Sequence, residues 1–82
     1  MNTPVAACRL TRTVADVFGI TTDQLTDESS PHTVPGWDSL GHLNLILALE
    51  SEFQVRLSAD DALVMRNIAA IRTRLRQVGA EA

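Results

Sequence analysis

The chain has 82 residues, with 7 Arg and no Lys against 10 acidic residues, and a formal net charge of -3. That length sets one domain, residues 1–82, whose core is too small to spare a deep substrate pocket. Hydrophobic residues at 45% exclude a disordered chain. The acidic balance argues against nucleic acid as a partner, and the lone Cys8 excludes a disulfide framework or a thiolate zinc cluster.

The opening residues show no cationic stretch followed by an apolar run, so no secretory leader is expected. Thr3 suits a helix N-cap, with Pro4 at the first helical position. Ala7, Leu10, Val14 and Val17 recur at helical spacing, widened by Phe18, and Gly19 ends the helix. Residues 20–37 read as a long polar connection anchored by Ile20, Leu25 and Val34, with a short helical turn around Asp23 to Leu25. A second helix runs from Ser39 to Phe53 behind Asp38 as N-cap. Ser58 and Asp61 form a capping box that opens a short third helix, ending near Val64. Asn67 caps a last helix whose stripe is Ile68, Ile71, Leu75 and Val78, stopped by Gly79. Arg72, Arg74 and Arg76 complement the dipole of its later turns. The expected fold is all-α: a small four-helix bundle of three main helices, one short third helix and a long loop before the second. The longest aliphatic run, Leu45 to Leu49, is far below the ~20 residues of a membrane span. A cytoplasmic protein without a membrane partner is the expectation.

The second helix carries more apolar surface than one core contact uses. At about 100° per residue, Leu45, Ile46, Leu49 and Phe53 share one stripe, and Leu40, Leu43 and Leu47 form another roughly 140° away. Either the second stripe is exposed as an interaction surface or the helix is central and buried all round; periodicity fits both. The first alternative places Leu40, Leu43 and Leu47 at least partly in solvent, with Ser39 and Glu50 on the same side. Residues 16–61 hold nine acids against Arg56 alone, which suits a basic partner surface or a merely solvated one.

At Asp38-Ser39-Leu40, preceded by Gly36-Trp37 and followed by the aliphatic helix ending Ala48-Leu49-Glu50-Ser51-Glu52-Phe53, the chain resembles the acyl carrier protein family. The likeness extends to Phe18-Gly19-Ile20, the long loop, Phe53-Gln54-Val55 and the order of the last two helices. It implies that a phosphopantetheinyl transferase attaches 4'-phosphopantetheine from coenzyme A to Ser39. The thiol of that arm then carries acyl groups as thioesters between other enzymes, and the chain itself is no catalyst. It further implies that Asp38, Leu40, Leu43, Leu47 and Glu50 face partners, and that Met65 lies near the arm or acyl chain, the sixth partner-binding position. The partners implied are the transferase and an acyl- or aminoacyl-loading enzyme, acyltransferase or ketosynthase, meeting a monomeric carrier. Gly41 and Asn44 stand where many members have larger or acidic residues, and Gly inside a helix costs about 1 kcal/mol relative to Ala. The Trp-Asp-Ser-Leu-Gly-His wording is similar to discrete carriers of polyketide-type and other specialised pathways, including those loading unusual acyl or aminoacyl units.

Three other readings compete. Asp38, Ser39 and His42 are the residue types of a nucleophilic triad, but His42 falls at about 260°, on the core side and away from Ser39. A helical adaptor would use the leucine stripe without needing Ser39. A peptidyl carrier would share the fold and prosthetic group and differ in its loading enzyme. Trp37 is expected as a loop anchor, His42 as a core or loop contact, His32 as a solvated residue and Cys8 as a core residue. No metal-ligand spacing stands out.

Overall fold

A computed structural model describes residues 5–80, with side chains from Arg9 onward. The Thr3 cap, Pro4 and the side chains of Ala7 and Cys8 lie outside the described residues. The elements are α1 (Val5–Phe18), a 3-10 turn (Thr22–Gln24), α2 (Ser39–Phe53), α3 (Ala59–Val64) and α4 (Ile68–Gln77). No strand occurs among the described residues, and the all-α architecture matches the periodicity of the sequence.

The expected caps of α2, α3 and α4 are present. Asp38 accepts from Gly41 N–H, Asn67 accepts from Ala70 N–H, and Ser58 and Asp61 close a reciprocal capping box. Gly19 and Gly79 sit at φ 68° and 97°, the left-handed conformation that ends α1 and α4. In α2 the same role falls to Gln54 at φ 57°, a non-glycine residue with no cap signature of its own.

The core gathers Leu10 and Val14 of α1, Leu45, Ile46, Leu49 and Phe53 of α2, and Ile68, Ile71 and Leu75 of α4, with Val34, Trp37, Leu57 and Met65 from the connections. Val17, Phe18, Ile20 and Leu25 pack half-buried against it. Arg9 braces α1 on α2: its Nη2 donates to the Glu52 carbonyl at 2.6 Å, and its guanidinium lies 4.7 Å from the Phe53 ring centroid.

The long connection is stitched to α4. A helix start leaves N–H groups without intrahelical acceptors. Here Ile68 N–H donates to the Ser29 carbonyl at 3.1 Å and Ala69 N–H to the Asp27 carbonyl at 2.9 Å. Arg72 closes the seam with a 2.9 Å ion pair to Asp27. The later-turn arginines thus do more than complement the dipole: Arg74 also reaches Asp61 of α3, at 3.4 Å.

Asp61 is correspondingly acidic. The Ser58 backbone N–H, its hydroxyl and Arg74 hold the Asp61 carboxyl below the usual carboxylate range, with burial opposing them. A depressed native value means the unfolded chain binds the proton more readily. The stabilisation is therefore complete above the ordinary carboxylate range, about pH 4, and is lost as pH falls through the native value. Amides of α3, corrected for intrinsic exchange, should loosen in acid in the wild type; in Asp61→Asn that dependence should be flattened.

Candidate functional site

The two stripes of α2 separate as one buried and one exposed. Leu45, Ile46, Leu49 and Phe53 are buried, while Leu40, Leu43 and Leu47 are 67%, 54% and 55% exposed. On α3, Leu63 is 68% exposed and Val64 is exposed as well. Their exposure was missed in the sequence, where the adjacent Leu63-Val64 pair at the end of a short acidic helix was the available signal.

Ser39 is the first residue of α2 and is exposed. Its neighbour Asp38 commits its carboxylate to Gly41 N–H at 2.8 Å, and the Asp38 carbonyl takes His42 N–H at 2.7 Å. The Ser39 hydroxyl therefore stands beside a completed cap and is not consumed by it. It occupies the positive end of a fifteen-residue helix, where an anion is favoured.

A cleft of about 560 Å³ opens beside it, lined by Pro31, Trp37, Asp38, Ser39, His42, Ala62, Leu63, Met65 and Arg66. Its wall is ordered. Trp37 is 2% exposed and stacks on Phe18, with ring centroids 5.4 Å apart. Its indole N–H donates to His42 Nδ1 at 2.9 Å, and His42 Nε2 lies 2.9 Å from the Ala62 carbonyl. Both His42 ring nitrogens are thus engaged away from Ser39, and no triad forms. His32 is an exposed loop residue. Among the described residues no group of three His, Cys, Asp or Glu side chains is placed to hold a metal.

Two of the expected positions, Met65 and Glu50, are less exposed than the leucines of the stripe. Met65 is fully buried and lines the cleft beside Ser39. The reason is its place just after α3, where the chain turns inward and Met65 joins the core cluster. Glu50 is half-buried, and its carboxylate accepts Leu57 N–H at 2.7 Å. That bond holds the α2–α3 connection in place and ties up one oxygen of an acid expected to face outward. Gly41 also changes meaning. A Cβ there would overlap the Gly36 carbonyl oxygen and come within 3.0 Å of Phe18 Cε1. Its bare backbone admits the loop against α2.

The residues present fit a covalently attached phosphodiester: a free hydroxyl at a helix start, an adjacent cleft and an exposed apolar face. Comparison with known proteins agrees. Residues 8–75 match the family described as phosphopantetheine attachment site. Over 60 residues the chain is 38% identical to a mycocerosic acid synthase-like polyketide synthase of Mycolicibacterium smegmatis, covering 73% of this chain. The match spans only 3% of that relative's length. No helix among the described residues is long and apolar enough to cross a membrane. The chain belongs to the phosphopantetheine-attachment family, the non-catalytic carrier domains that hold acyl groups as thioesters on a covalent 4'-phosphopantetheine.

Proposed function

We propose that Ser39 is the attachment residue and that residues 1–82 act as one monomeric carrier domain in the cytoplasm, serving a polyketide-type pathway. The observation that carries this reading is the uncommitted Ser39 hydroxyl at the start of α2, beside an exposed leucine stripe. In the loading step, catalysed by a phosphopantetheinyl transferase, the Ser39 oxygen bonds to the pantetheine-side phosphorus of coenzyme A. The pyrophosphate linkage breaks, adenosine bisphosphate leaves, and the hydroxyl proton passes to a base of the transferase. The attached group supplies a thiol for acyl cargo.

The chain's own residues bind and orient. Asp38 keeps the first turn of α2 closed, so Ser39 is presented at a fixed position. Leu40, Leu43 and Leu47 offer an apolar seat to the transferase and to acyltransferase, ketosynthase or loading enzymes. The acidic middle of the chain steers basic partner surfaces toward it. The polyketide synthase name of the relative supports acyl cargo of that chemical class. The exposed leucine stripe would also serve an unmodified adaptor, but the match of residues 8–75 to the phosphopantetheine attachment family favours the carrier.

Incubating the protein with coenzyme A and a broad-specificity transferase should raise its intact mass by one phosphopantetheine. Ser39→Ala should show no gain while keeping its helical circular dichroism. A gain that persists in Ser39→Ala would move the attachment elsewhere.

A further inference from the structure

We propose that His42 is a positioning residue, a clamp whose neutral imidazole holds α3 in place over the cleft beside Ser39. Its value to a carrier rests on Ser39 being the attachment residue; the clamp itself does not.

The short helix has little else to hold it on that side. It spans six residues, none of them fully buried, with Ala62 half-buried against the core. A helix so short has no independent stability. Its backbone packs chiefly against α4, where the Asp61–Arg74 pair adds a tie at 3.4 Å. Toward α2, among the described residues, the polar tie is the 2.9 Å contact from His42 Nε2 to the Ala62 carbonyl.

The partners of the ring set its chemistry. The Trp37 indole nitrogen can only donate, so His42 Nδ1 must present a lone pair to it. The proton then sits on Nε2 and is given to Ala62. That carbonyl also receives Met65 N–H at 3.3 Å, and its two lone pairs serve both donors. Trp37 is in turn fixed against Phe18. A continuous line therefore runs from α1 through the loop and α2 to α3. Trp37, His42 and Ala62 line the same cleft as Ser39. Releasing α3 from this line would widen the cleft and uncover Met65 at its base.

The apo protein is sufficient for the test. His42→Phe keeps an aromatic ring and removes both nitrogens. Amides 59–65 should then exchange about five- to tenfold faster, the worth of one net hydrogen bond or slightly more. Amides of α1 and of the α4 interior should stay within about twofold. Acrylamide should quench Trp37, the single tryptophan, more strongly than in the wild type. His42→Gln, which offers a carbonyl to the indole and an amide to Ala62, should recover most of the protection. Imidazole nitrogen spectra of the wild type should show Nε2 protonated and Nδ1 bare. Unchanged α3 exchange in His42→Phe, acceleration spread evenly over α1 and α4, or a proton on Nδ1 would each overturn the clamp. None of these results touches the mass gain at Ser39, whose absence would sink the carrier site and leave the clamp standing.

Discussion

Trp37→Ala is expected to lower unfolding stability by about 3–5 kcal/mol, the usual cost of deleting a buried aromatic side chain. In a domain of this size each kcal/mol corresponds to roughly 4–8 °C in Tm, so the variant should melt well below the wild type. Three losses combine. The indole is almost wholly buried among loop, α1 and α2, and its removal leaves a void there. Its stacking on Phe18, with centroids 5.4 Å apart, disappears. His42 Nδ1 loses its donor in a half-buried position. Trp37→Phe separates these contributions. It keeps most of the apolar fill and removes the donor, so it should cost about 1–2 kcal/mol. Thermal and urea unfolding followed by circular dichroism measure both. A Trp37→Ala variant as stable as the wild type would mean that the indole is not part of the core.

Gly41→Ala should destabilise the protein, although helix propensity alone favours Ala over Gly by up to about 1 kcal/mol. The two effects oppose each other, so the sign of the result decides between them. The obstacle to a Cβ is the Gly36 carbonyl, part of the backbone, with Phe18 close behind. Backbone cannot rotate aside as a long side chain can, and overpacking of this kind costs about 1–3 kcal/mol. A net loss of about 1–2 kcal/mol is expected, read as a lower urea midpoint at unchanged slope. A midpoint at or above the wild type would show that the loop gives way at little cost. Because Gly36 leads into Trp37, the same substitution should perturb the Trp37 indole signal before global unfolding.

The parts of the fold legible in the sequence are those written in side chains. The caps Asp38, Ser58 and Asn67 carry their own acceptors, so the starts of α2, α3 and α4 could be read directly. The second stripe of α2 was visible as an excess. Periodicity fitted both exposure and full burial of that stripe, and in the fold Leu40, Leu43 and Leu47 are exposed. What could not be read was written in backbone and in distance. The carbonyls of Asp27 and Ser29 that receive α4 have no residue signature, since every residue offers the same group. Gly41 looked like a missing acid because its neighbour in space, Gly36, is apparent only once the loop has folded over. Met65 and Glu50 were placed by family position alone; the burial of Met65 and the bond from Leu57 N–H to the Glu50 carboxylate carried no signal in the sequence.

The seam between the long loop and α4 also bears on how the molecule comes apart. The C-terminal helix borrows its first acceptors from the middle of the chain, so shortening the protein at that end would untie the strap bearing the indole and loosen the approach to Ser39. Two stretches remote in sequence are therefore expected to melt as one cooperative unit.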